Sequence, residues 1–210
     1  MAKAVAVQIN RTNVLISNPF YAACCQEQVV LCPQDRSSRK LPREAPTPTG
    51  KRLNQQKGKQ AMEHKIVSLP AFTVVGMKYR GKNEHDEIPQ LWGQFVPRIP
   101  EIQDRNPDPA TYGVMSNFDE ATGEFDYVAA LHVNSASVLP EGMVSVDIPA
   151  ARYVVFTCTL PALSSTYRQI HQWLPQSRYE HAGTPEYEYY GEHFDPENPD
   201  SPMSVYIPIR

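Results

Sequence analysis

What this 210-residue chain lacks narrows its class before anything present in it is read. No run of about 18 apolar residues occurs, so no segment can cross a bilayer as a helix. The start of the chain has neither the cationic, apolar and small-residue succession of a signal peptide, so a cytoplasmic protein is expected. There is no phosphate loop, dinucleotide fingerprint or HExxH helix, and Ser164, Ser165 and Ser177 lie outside any nucleophile elbow. Cysteine is scarce: Cys24, Cys25, Cys32 and Cys158. Adjacent Cys24 and Cys25 lack the gap within each ligand pair that structural zinc needs, which points to reduced thiols. His171, His181 and His193 share no metal spacing. No metal and no cofactor are expected.

Charge is present but unevenly placed. Residues 1–61 hold ten Lys and Arg against Glu27, Asp35 and Glu44, a net of +7, while residues 62–210 hold ten basic and twenty acidic side chains, a net of −10. An acidic body repels nucleic acid and draws in cations, which argues against direct DNA binding by the main domain. The first segment is rich in Pro, Gln, Ser, Arg and Lys, a composition that buries too little apolar surface to offset chain entropy. Residues 1–63 therefore read as a basic leader without stable structure, and residues 64–210 as the folded unit. No helix-turn-helix pattern can be drawn in the leader, although a basic tail can also touch nucleic acid.

From Ile66 the pattern is legible. Phe72 to Tyr79 reads as a strand; Ile88, Leu91, Trp92, Phe95 and Ile99 share one side of a helix; Tyr112–Phe118 and Glu124–Val133 form a hairpin. The succession then repeats. Pro149-Ala150 precedes the strand Arg152–Cys158 as Pro70-Ala71 precedes Phe72, and a second helix follows Pro161 with Leu163, Tyr167, Ile170 and Leu174 on one side. Glu186–Phe194 and Met203–Ile209 close the chain as a second hairpin, and Gly142–Ile148 reads as an extra strand between the halves. The fold class expected is α+β: a duplicated β-α-β-β unit, its strands in one curved antiparallel sheet, two helices on one side and a central ligand cleft on a pseudo-twofold. Trp92 and Trp173, one per helix, are candidates to line that cleft, with core packing as the alternative for each.

One stretch asks for an explanation. Pro185-Glu-Tyr-Glu-Tyr-Tyr190 read as a strand puts Glu186, Glu188 and Tyr190 on one face and Tyr187 and Tyr189 on the other. Glutamate is a poor strand former. Either the strand lies at an edge with a solvated acidic face, or a carboxylate sits on the floor of an aromatic pocket and awaits a cation.

Trp173-Leu-Pro-Gln-Ser-Arg-Tyr-Glu180, Pro185–Tyr190 and Val205-Tyr-Ile-Pro-Ile209, with Pro140-Glu-Gly-Met143 and Ile148-Pro-Ala-Ala-Arg-Tyr153, resemble the GyrI-like (gyrase-inhibitor-like) small-molecule-binding domains. Such domains also serve as effector-binding modules of AraC-type and MerR-type transcription regulators. The resemblance covers residues 64–210 and implies a cleft for hydrophobic, often cationic compounds with a buried glutamate among aromatic rings. The family's aromatic-Glu-x-Tyr element falls on Tyr187–Tyr190, which gives Glu188 the carboxylate role and puts Glu186 at the rim. The ligand-binding set expected is Glu188, Tyr190, Trp92, Trp173, Tyr112, Tyr127, Phe95 and Tyr153, without catalytic residues. The partners implied are hydrophobic cationic small molecules and a transcription regulator or DNA gyrase. Two alternatives to binding follow from the same resemblance: hydrolysis of cyclopropane-type genotoxins by the same Glu and a Tyr, and inhibition of DNA gyrase.

Overall fold

A computed structural model describes residues 63–210. The basic leader, with Cys24, Cys25 and Cys32, lies outside the described residues. Eight strands follow in chain order: β1 (Lys65–Leu69), β2 (Phe72–Gly81), β3 (Thr111–Ser116), β4 (Phe125–Val133), β5 (Met143–Ile148), β6 (Ala151–Thr159), β7 (Glu186–Tyr190) and β8 (Pro202–Ile209). Helix α1 (Glu87–Phe95) separates β2 from β3, and α2 (Leu163–Trp173) separates β6 from β7. The fold is α+β, one open antiparallel sheet with two helices. No helix among the described residues is long and apolar enough to cross a membrane.

The strand order, β1-β6-β8-β7-β3-β4-β2-β5, is a palindrome under the exchange of halves. It also corrects the repeat read from sequence. The strand expected at Gly142–Ile148 forms as β5, and the palindrome makes it the counterpart of β1, which the sequence pattern does not announce. Each opening strand crosses over: β1 pairs with β6 of the second half, and β5 with β2 of the first. The two Pro-Ala steps, Pro70-Ala71 and Pro149-Ala150, are therefore handover points between halves. β1 is short and mostly exposed, so its pattern carries little alternation to read.

The apolar stripe Ile88, Leu91 and Phe95 buries α1 against β2 and β4. Asn83 Oδ1 accepts the Ile88 N–H at 2.9 Å and caps the first turn. Regular helix stops at Phe95 and tightens into a 3-10 turn over Val96–Glu101, since Pro97 has no N–H to give. Leu163, Thr166, Tyr167 and Ile170 seat α2 against β6. Both helices pack on one face of the sheet, α1 on β2 and β4 and α2 on β6, so the central pair β7 and β3 falls between them in the strand order. One face of the sheet packs Phe125, Tyr127, Phe156 and Val205 under the helices. The other packs Val74, Tyr112, Val128, Tyr153 and Tyr187, with Tyr187 stacked on Tyr206 at 4.7 Å.

Candidate functional site

The middle of the sheet is the pairing of β7 with β3, where Glu188 stands opposite Gly113. Alternation along β7 turns Glu186, Glu188 and Tyr190 towards the helices. Glu188 is 5% exposed. A carboxylate this deep needs donors, and three phenols supply them. Tyr127 and Tyr190 donate to Oε2 at 2.8 and 2.7 Å, and Tyr167 of α2 donates to Oε1 at 3.3 Å. Trp92 of α1 donates its indole N–H to the Tyr127 oxygen at 3.0 Å. Both helices thus reach one carboxylate.

Burial pushes the Glu188 carboxyl up to about 7; the three phenol hydrogen bonds hold it down in part, and the nearby Glu186 charge adds to the rise. The phenols of Tyr127, Tyr167 and Tyr190 are driven well above their ordinary range by burial first and by the Glu188 charge next, so they remain donors. The site is a carboxylate poised between its two protonation states near neutral pH.

Gly113 makes room for this arrangement. A Cβ there would collide with the Tyr127 hydroxyl and come within 2.7 Å of Glu188 Oε2. Outward from the carboxylate, Tyr190 meets Trp92 edge-on at 5.3 Å and Phe194 at 4.8 Å, and Trp92 meets Phe95 at 5.8 Å. The result is an aromatic wall with one anionic group at its base.

The structure brings together Glu188, Tyr190, Tyr127 and Trp92, with Phe95 packed behind Trp92 as a fully buried core ring. Three other expected residues stand elsewhere. Tyr112 and Tyr153 lie on the opposite face of the sheet, against Tyr187. The cause is strand parity: Gly113, the neighbour of Tyr112, shares the Glu188 side, so Tyr112 cannot. Trp173 belongs to the same helix-side core, but its ring contacts among the described residues are Phe156, His64 and Tyr179 rather than the tyrosines that hold Glu188. Glu186 is also not at the rim, being only 6% exposed.

Two members of the site were not singled out from sequence. Tyr167 sits in the apolar stripe of α2 and reads as core, although a tyrosine in such a stripe carries a polar tip that needs a partner. Gly113 is a glycine inside a strand, a known sign of close approach. A separate surface crevice of about 650 Å³ lies at Phe72, Asp147, Ile148, Pro149, Thr184 and Pro185, and takes in none of the groups around Glu188.

Comparison with known proteins agrees with this architecture. Residues 62–210 match the GyrI-like small molecule binding domain. The transcriptional regulator BrlR of Pseudomonas aeruginosa is 39% identical over 152 residues, which cover 70% of this chain and 56% of the regulator. The chain thus spans little more than half the length of that relative. Among solved structures, SAV2435 bound to tetraphenylphosphonium is similar with a TM-score of 0.59 at 18% identity, covering 71% of this chain and 94% of that one. An integron cassette protein from the mobile metagenome of Vibrio cholerae has a TM-score of 0.51 at 23% identity, covering 70% and 95%. These two likenesses concern the fold. The sequence match, which spans the whole described region, carries the assignment: this chain belongs to the family of GyrI-like small-molecule-binding domains.

Proposed function

We propose that the domain binds hydrophobic cations in the furrow between α1 and α2, with Glu188 as the anionic anchor and Trp92, Tyr127, Tyr167 and Tyr190 around it. Ligand occupancy then serves transcription regulation or the sensing of toxic compounds. The observation that carries the reading is a carboxylate 5% exposed, held by three phenols and, among the described residues, paired with no cationic side chain. An organic cation neutralises such a group, and each aromatic face adds roughly 0.5–2 kcal/mol of cation–π attraction. The fold neighbour bound to tetraphenylphosphonium supports the ligand class, and the regulator relative supports the regulatory role.

The test is calorimetric titration with tetraphenylphosphonium and with neutral triphenylphosphine oxide. Glu188→Gln is expected to weaken the cation by about tenfold or more and the neutral compound little. Equal loss for both would remove Glu188 from the anchor role. A second reading is favoured by the same group: a carboxyl pushed up to about 7 has the proton affinity of a general base at neutral pH. Repeated turnover of a cyclopropane-type substrate, lost in Glu188→Gln, separates hydrolysis from binding.

A further inference from the structure

Glu186 lies two residues before Glu188 on the same face of β7, and it is nearly as deeply buried at 6% exposure. Its surroundings differ sharply. Whereas Glu188 receives three phenol O–H groups, the polar contact to Glu186 among the described residues is the ring of His181, with Nε2 at 3.4 Å from Oε2. The His181 Nδ1 accepts the Gly183 N–H at 3.0 Å, so the proton of the neutral ring sits on Nε2 and faces the carboxylate. The contact is nevertheless too poorly aligned to give that Nε2 a hydrogen bond. Among the described residues Glu186 is therefore a largely buried carboxylate paired with one poorly aligned imidazole, where a further positive group beside it would offset the cost of burying its charge.

The elements around the two carboxylates repeat. Tyr167 and His171 stand one turn apart on α2. Tyr167 reaches Glu188, while the Glu186 charge acts on His171. Met115, the register partner of Glu186 on β3, brings its Sδ within 3.7 Å of the Tyr167 hydroxyl oxygen. A second place for positive charge is thus bounded by Glu186, the His181 ring, His171 and a polarisable thioether.

We infer that Glu186 forms a second anionic subsite of the furrow, and that the ligands suited to it carry two positive centres about 7 Å apart, the separation of alternate residues on a strand. This rests on the cation-binding reading of Glu188 and deepens it. The contrary reading is that Glu186 and His181 only fasten the start of β7 beside the end of β8, where His181 bridges to Ile209.

The probes are a matched pair: p-xylylene-bis(trimethylammonium), with two charges across one ring, and (4-methylbenzyl)trimethylammonium, with one. Each is titrated calorimetrically into the full chain and into Glu186→Gln. The dication is expected to bind the unaltered protein about tenfold more tightly than the monocation, and Glu186→Gln is expected to erase that advantage while leaving the monocation in place. A biphenyl spacer, which moves the charges one ring further apart, should lose the advantage in the unaltered protein, an arm that needs no variant to fold. The inference is overturned if the dication binds no better than the monocation, if both spacers do equally well, or if Glu186→Gln weakens both probes alike. Failure of either cation to bind at all would instead sink the reading of Glu188.

Discussion

Replacing Glu188 by Gln tests the energetics of the site without any ligand. The carboxyl titrates at 4.5 when unperturbed and is pushed up to about 7 in the fold, with burial the leading cause. At 1.36 kcal/mol per unit, that rise means the ionised form costs the folded state about 3 kcal/mol. The sign follows from which state holds the proton more tightly. The native protein does, so the contribution to stability is fully present below pH 4.5, is lost as pH climbs towards about 7, and stays lost above it. Glutamine keeps the shape of the side chain but cannot ionise. Urea unfolding of both proteins from pH 4.5 to 8.5 should therefore show Glu188→Gln gaining on the unaltered chain by up to about 3 kcal/mol at the alkaline end. That gap should shrink steadily on acidification. A gap that does not change with pH, or that widens as pH falls, would refute the burial argument. The same cost explains why a cation is a fitting ligand: it relieves a charge the unliganded fold holds at a loss.

Other substitutions follow from the geometry. Gly113→Ala puts a methyl group against the Tyr127 hydroxyl and Glu188 Oε2, and should cost roughly 1–3 kcal/mol in urea unfolding while weakening tetraphenylphosphonium. Unchanged stability and binding would show that Tyr127 swings aside at no cost. Tyr167→Phe removes a hydrogen bond to the charged form of Glu188. The Glu188 carboxyl should then titrate higher still, and the pH midpoint of cation binding should move up with it. A midpoint that stays put or moves down would place the 3.3 Å contact outside the electrostatics of the site.

Much of the architecture was legible because it follows from periodicity. The spacing of Ile88, Leu91 and Phe95 and of Leu163, Tyr167 and Ile170 marks two one-sided helices, and both form. Alternation along Glu186–Tyr190 separates the helix-facing residues from the rest, and the sheet keeps that division. Strand partners are another matter. The crossing of β1 and β5 depends on pairings between residues far apart in the chain, such as Lys65 with Val155, which no local pattern encodes. Tyr112 and Tyr153 illustrate the same limit within a site. Aromatic identity made them candidates, while the parity of their strands relative to Glu188 assigned them to the other face.

By itself, then, the sequence determined most of the segments that become strand or helix, β1 excepted, and which side of each is apolar, since both depend on neighbours three or four residues away or fewer. It also put Glu186, Glu188 and Tyr190 on one face of the last hairpin, while leaving open whether that face met solvent or an aromatic pocket. Only the tertiary structure decided that Glu188 sits opposite a glycine, that Tyr127, Tyr167 and Tyr190 converge on it from three elements, and that Glu186 is buried beside it against a poorly aligned imidazole. The physical reason is range: burial and hydrogen-bond convergence are properties of groups brought together by long-range pairing, and the ionisation of a carboxylate follows from that company.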